Sequence, residues 1–377
     1  MNPVLSHAFV TLFLSGDVMT GRGIDQILPC SSAPKLFEPY VRDARRYVEL
    51  AEQLNGTIPR KADFSYVWGD SLEEFSRRRP AVKIVNLETS ITTWDAPWPR
   101  KGIHYRMHPG NVSLLTAAGI DVCVLANNHV LDWGVGGLAE TLDTLHKAQV
   151  RTAGAGHTDT EAEAPAVVEM TEKGRAIIVS LGAESSGIPG EWAASSDRLG
   201  VNFLPELSEA AVNRIGTQVC GMKRPGDVVV ASIHWGGNWG YGISGNQQRF
   251  AHLLLDGAGV DVVHGHSSHH VKGIEVYQGK LILYGCGDLI TDYEGIGGYE
   301  EFRGDLGLMY FVSADTETGK LAGLEMVPMQ MKRFRLQRVL REDAAWLRDT
   351  LNREGKRYGT RVDLQDDGTL VLRWEKG

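Results

Sequence analysis

Cysteine is scarce and scattered in this chain: four residues among 377, Cys30, Cys123, Cys220 and Cys286, with no paired spacing. Neither a disulfide framework nor a zinc ribbon is suggested. Cys123 and Cys286 fall inside apolar runs, where an inert buried thiol is the usual occupant. No apolar stretch approaches the roughly 18 residues needed to span a bilayer, and no lipidation motif stands out. The apolar run from Ala8 to Leu14 has no Lys or Arg before it and leads directly into Ser15-Gly16-Asp17. It therefore reads as a first strand rather than a targeting signal. Positive charge is not in excess either. A formal net charge of -8 excludes a general attraction for nucleic acid or anionic lipid. The expectation is a soluble cytoplasmic protein with no nucleic-acid or membrane partner. Internal repeats and low-complexity linkers are also lacking.

What is present suits a large folded unit, since 42% hydrophobic and 23% charged residues over this length can bury a substantial core. Short β-branched runs at Val10–Leu14, Val82–Val85, Val122–Leu125, Ala176–Leu181, Val228–Ile233, Val260–Val263 and Leu281–Tyr284 read as buried strands. Helical patterns lie between several of them, at Leu36–Leu54, Val112–Ala118, Leu138–Ala148 and Gln247–Leu255. This alternation predicts a layered α/β fold. Thr89–Pro109 and Ser185–Asp197 lack periodicity and read as long loops. After about residue 312 the character changes. A charged helix is expected over Arg341–Arg357, then a hairpin around Asp366-Asp367-Gly368, so 313–377 is taken as a C-terminal extension packed on a main domain of 1–312.

The chemistry collects after the strands. Gly16-Asp17 follows the first, Asn86-Leu87-Glu88 the second and Asn127-Asn128-His129 the third, and later strands lead into His234-Trp235-Gly236 and His264-Gly265-His266-Ser267-Ser268-His269-His270. In open α/β sheets ligands gather at the carboxyl ends of strands. A lone Asp there is usually a turn former or helix cap. Repetition argues otherwise, because six of the twelve histidines sit in these segments. Carboxylate, amide and imidazole donors without cysteine suit a divalent ion such as Mg, Ca, Mn, Fe or Zn, and donor type does not choose among these.

The ordered motifs Gly-Asp-Val-Met, Asn-Leu-Glu, Ala-Asn-Asn-His-Val-Leu-Asp-Trp-Gly, His-Trp-Gly and Gly-His-x-x-His, followed by Gly-Ile-Glu-Val-Tyr-x-Gly-Lys, span roughly residues 10 to 312. In this order they resemble the CapA family, associated with poly-γ-glutamate capsule synthesis and similar to the calcineurin-like metallophosphoesterases. The resemblance implies a four-layer αββα sandwich of the metallophosphoesterase type. It also implies a metal set of Asp17, Glu88, Asn128, His234 and His266, with His129 as the neighbouring imidazole. The closing phosphoesterase pattern Gly-His-x-His is displaced here, and His269 is preferred to His270 as its second histidine. Met19 stands where the phosphoesterase pattern has a histidine ligand, so one ion, or a second held loosely, is expected.

His129 with Asp132, and His269 with Asp288, form candidate general acid/base pairs, against the simpler account that the two aspartates cap local turns. Arg106, Trp235 and Arg303 are candidate substrate contacts, whereas Lys101 reads as solvated surface charge. Trp94, Trp98, Trp133, Trp235 and Trp239 are candidates for an aromatic wall. The leading functional expectation is a metal-dependent peptide-modifying enzyme, an epimerase of the C-terminal Cα of a ribosomal lasso-peptide precursor. Its two His/Asp pairs would remove a proton from one face and return it to the other. The alternatives are a protein of poly-γ-glutamate or capsule biosynthesis, acting on a peptide or amino-acid polymer, a metal-dependent phosphoesterase, and a non-enzymatic domain with a structural ion.

Overall fold

The computed structural model describes residues 9–170 and 174–375. The outer ends of the expected segments 1–312 and 313–377 lie outside the described residues. The chain is a mixed α/β protein with two large sheets. The first has strands in the order Thr360–Leu364, Leu370–Trp374, Leu321–Lys332, Leu306–Asp315, Phe9–Val18, Val82–Leu87, Val122–Val124 and Arg151–Ala153, with Asp288–Ile290 paired to Phe9–Val18 and Arg335–Arg338 to Leu321–Lys332. The second runs Phe203–Leu204, Arg175–Ala183, Val228–His234, Val262–His266, Lys280–Leu283 and Ile274–Tyr277, with Ala166–Glu169 paired to Arg175–Ala183. Position 312 falls inside the strand Leu306–Asp315, so the segment beyond it shares the first sheet.

Strand periodicity explains the core. Side chains alternate between faces, and here both faces are covered, which is why the strands read as continuous apolar runs. Leu12, Leu14, Ile84 and Val124 of the first sheet pack in one cluster with Ile178, Val230, Val262 and Leu283 of the second. Phe13, Val85 and Cys123 face the other way, onto helical residues such as Tyr47, Phe75, Leu115 and Leu138. Ile177, Val229 and Val263 turn outward onto Ile215, Val219, Phe250 and Leu254.

Two expected boundaries shift for local reasons. The helix read from Leu36 begins only at Arg45 and ends at Asn55, since Pro39 interrupts the earlier part and proline disfavours helix in the residue before it. The strand read from Val260 begins at Val262 and runs on to His266. The helix Gly245–Gly257 starts at a capping box made by Ser244 and Gln247. Helices at Arg22–Ile27, Ser71–Arg78 and Glu209–Met222 were not anticipated. Among the described residues no helix is long and apolar enough to cross a membrane.

One glycine pair sets the geometry at the end of the first strand. A Cβ at Gly16 would lie 1.6 Å from the carbonyl oxygen of Gly287, so only glycine lets these backbones meet. The contact brings Asp288 beside Asp17 as register partners. Just beyond, Arg22 is buried and bonded to Asp292, to Glu38 at 2.9 Å and to the Tyr47 hydroxyl at 3.0 Å, with its guanidinium 4.0 Å from the Tyr47 ring centre. Removing one partner of a buried ion network leaves uncompensated charge. Arg22→Met is therefore expected to lower unfolding free energy by about 3–5 kcal/mol. Urea denaturation checks this, with the exposed Arg46→Met as a control expected to stay within about 0.5 kcal/mol of the parent.

Candidate metal centre

Both sheets deliver side chains to one place. Asp17 is the second-last residue of its strand, Glu88 directly follows Val82–Leu87, and His234 and His266 end adjacent parallel strands as register partners. Asp17, Glu88, His234 and His266 are all at most 2% exposed. His266 Nδ1 lies 2.8 Å from His234 Nδ1 and 3.9 Å from Asp17 Oδ1. His234 Nε2 is 3.2 Å from Asn128 Oδ1 and 4.0 Å from Glu88 Oε1. Asp17, His234 and His266 form one group able to hold a metal ion, and Asp17, His269 and Asp288 form another that shares Asp17. Met19 is turned to the Tyr293 hydroxyl, which donates to its sulfur at 3.4 Å.

Electrostatics make this an unresolved concentration of negative charge. Burial, and then repulsion from Asp288, raises the Asp17 carboxyl to about 7. Glu88 is raised well above the usual carboxylate range by burial and by Asp17. Burial holds His234 and His266 well below the ordinary imidazole value, and therefore neutral at pH 7. Asp17 Oδ2 is buried without a hydrogen-bond partner, a costly state for a carboxylate oxygen.

Both His/Asp pairs form. His129 Nδ1 is 2.7 Å from Asp132 Oδ2 and its Nε2 is 3.7 Å from Glu88 Oε1. Asp132 also accepts from the Tyr105 amide at 2.6 Å. His269 Nδ1 lies 3.0 Å from each oxygen of Asp288. Burial lowers His129 to about 4. At His269 burial pulls the imidazole down, but the charge and hydrogen bond of Asp288 together with the charge of Asp17 raise it on balance. His270 points away, with Nδ1 on its neighbour's carbonyl and its ring 4.7 Å from both Tyr241 and Phe302.

Several readings need correction. Lys101 is not surface charge. Its side chain is 18% exposed, and its ammonium bonds Asp132 and the Asn128 carbonyl and lies 2.9 Å from His129 Nδ1. Arg106 is engaged elsewhere, on the Trp94 carbonyl, Asp95 and the face of Trp133. Arg303 pairs with Asp305 and Asp343, clamping its loop to the helix Arg341–Gly355. Trp235 is core: 1% exposed, stacked on Tyr284, and bonded to that residue's carbonyl. Trp133 is likewise buried, Trp94 is 52% exposed, and Trp239 packs 5.4 Å from His269.

Two residues escaped sequence reasoning. Asn86 donates to Asp17 at 2.7 Å and to Glu88 at 3.2 Å, and it accepts from Asn127 at 3.0 Å. Asn127 in turn accepts from the backbone amides of His129 and Val130. The signal for Asn86 was its position two residues before Glu88, which puts the two on one side of an extended segment.

The sequence pattern of the family described as bacterial capsule synthesis protein PGA_cap matches residues 11–293. The chain is 47% identical over 364 residues to a probable polyglutamine synthesis accessory protein of Mycobacterium tuberculosis, covering 96% of each. It is 28% identical over 296 residues to the PGA biosynthesis protein CapA of Bacillus subtilis, covering 77% of this chain and 64% of that one. With the capsule biosynthesis protein CapA of Bacillus anthracis it shares 26% over 283 residues, covering 75% and 60%. These relatives overturn the expectation of a metal-dependent epimerase, because they are named for capsule or polyglutamine synthesis and the match to the M. tuberculosis protein runs almost end to end. Two acid/base pairs are common equipment and do not identify an isomerase. On the match over residues 11–293, this chain belongs to the bacterial capsule synthesis protein PGA_cap family.

Proposed function

We propose that this protein is an accessory factor in the synthesis of a glutamate-based capsule polymer, and that its strand-end centre holds a divalent cation. The observation that carries the cation reading is Asp17: its carboxyl is buried, one oxygen has no partner, and two neutral imidazoles and two further carboxylates surround it. Asp17, Glu88, Asn128, His234 and His266 would hold the ion, with His269 and Asp288 on the other side of Asp17. Oxygen and imidazole donors of this kind suit Mg, Ca, Mn, Fe or Zn. A bound cation would supply the positive charge that an acidic amino-acid polymer needs and that this chain, at net -8, otherwise lacks.

Two arrangements belong to the same reading. The three core clusters support four layers, helices on sheet on sheet on helices, as in the metallophosphoesterases. The pairs His129/Asp132 and His269/Asp288 flank the centre and hold their imidazoles in fixed orientations toward it.

Calorimetric titration of chelator-stripped protein with Mn²⁺, Mg²⁺, Ca²⁺ and Zn²⁺ should detect binding by the parent, with affinity lost by about 10-fold or more in Asp17→Asn. A parent that binds none of the four ions would refute the cation reading. Co-sedimentation with poly-γ-glutamate should require the cation and vanish with EDTA, and polymer retention unchanged by EDTA would separate the polymer from this centre. The pH dependence follows from Asp17, whose carboxyl is raised to about 7 in the cation-free fold. The cation must displace that proton. Apparent affinity is thus expected to fall on acidification below this value, by up to about tenfold per pH unit for one proton, as read from titrations at successive pH values.

A further inference from the structure

Behind His266 lies a line of polar groups with no part in the centre as described so far. Ser232 Oγ is 2.9 Å from His266 Nε2 and 3.0 Å from His264 Nδ1, and His264 Nε2 is 2.8 Å from the Ser15 carbonyl oxygen. All four residues are 0% exposed. Among the described residues no carboxylate oxygen lies within hydrogen-bond distance of either ring, Asp17 Oδ1 standing 3.9 Å from His266 Nδ1, so each buried ring carries a single proton.

A neutral imidazole has one N–H and one lone pair, and a hydroxyl has one hydrogen to give. The Ser15 carbonyl can only accept, so the His264 proton must sit on Nε2. His264 Nδ1 is then an acceptor and takes the single Ser232 hydrogen. Having given that hydrogen away, Ser232 Oγ faces His266 Nε2 as an acceptor, which places the His266 proton on Nε2. His266 Nδ1 is left with its lone pair, facing His234 Nδ1 at 2.8 Å and Asp17 Oδ1 at 3.9 Å. The reverse order would set the His264 Nε2 lone pair against a carbonyl oxygen at 2.8 Å, two acceptors with no hydrogen between them.

We propose that Ser15, His264 and Ser232 form a proton-ordered relay that fixes the tautomer of His266, making His264 and Ser232 positioning residues for its ligand atom. The relay crosses between the sheets. It begins on the strand that carries Asp17, two residues before that carboxylate, and ends on the strand that carries His266. The same strand thus provides one donor of the centre directly and orients another through three hydrogen bonds. No net proton is gained or lost along it. The functional meaning of the relay rests on the cation reading above, although its geometry does not.

The test is ¹⁵N NMR of histidine-labelled, EDTA-stripped protein at pH 7.5, with His266 assigned by its disappearance in His266→Gln. The parent should show His264 and His266 both protonated on Nε2. Ser232→Ala should leave His266 a mixture of tautomers with His129 and His270 signals unmoved, and Ser232→Thr should restore the single form. Mn²⁺ affinity measured by calorimetry should fall about 10- to 100-fold in Ser232→Ala and recover in Ser232→Thr. A parent His266 protonated on Nδ1 would overturn the proposal without need of any variant, as would a Ser232→Ala spectrum with His266 unchanged. If the parent binds none of Mn²⁺, Mg²⁺, Ca²⁺ and Zn²⁺, the cation reading fails while the tautomer measurement still decides the relay.

Discussion

Three carboxylates, Asp17, Glu88 and Asp288, are buried close together at the ends of the first sheet's strands, and the centre is organised around that crowding of like charge. Isolated ionised carboxylates are expensive to bury and respond by holding protons or by acquiring partners. Each neighbour answers this in its own way. Asn86 gives N–H donors to two of them, His269 spans both oxygens of Asp288, and the His234/His266 pair offers neutral nitrogen rather than charge. A short distance away, Arg22 neutralises Asp292 and Glu38 outright. The contrast is informative: the fold can place an arginine against buried acids where it needs one, and among the described residues it places none against Asp17.

The strand ends were legible in the sequence because an α/β fold brings them together whatever lies between, and acids or imidazoles repeated at those positions exceed what turns require. His129, Asp132, His269 and Asp288 were legible for the same reason. Lys101 was not. Its partners lie 27 to 31 residues away along the chain, and nothing in an irregular loop says whether a lysine folds inward. Arg106, Arg303 and Trp235 were misplaced by the complementary error. Residue type marks what a side chain can bind, but the nearest acid, carbonyl or ring takes it first. For Arg303 that was Asp305, two residues on. Helices such as Glu209–Met222 went unseen because alanine, glycine and threonine dilute their apolar stripe.

The functional correction has a similar origin. Paired His and Asp side chains describe a capacity for moving protons, and many proteins use that capacity only to orient a ligand. The reaction inferred from the pairs required a substrate that nothing in the residues specified. The chain is instead similar, over 96% of both chains, to an M. tuberculosis protein named a probable polyglutamine synthesis accessory protein, and under the proposed function the same residues are read as supports for a cation.

The placement of donors on both sheets also bears on how the molecule assembles. Asp17 and Glu88 belong to the first sheet, His234 and His266 to the second, and 146 (Glu88 to His234) to 249 (Ser15 to His264) residues separate the partners joined across this seam. Contacts so distant along the chain form late, since loop-closure entropy has to be met before they contribute. The centre is therefore complete only when the two sheets have docked. An ion held there would bind the finished fold and not its precursors, so it would act as a clasp on the seam and bias the chain toward its assembled state by mass action.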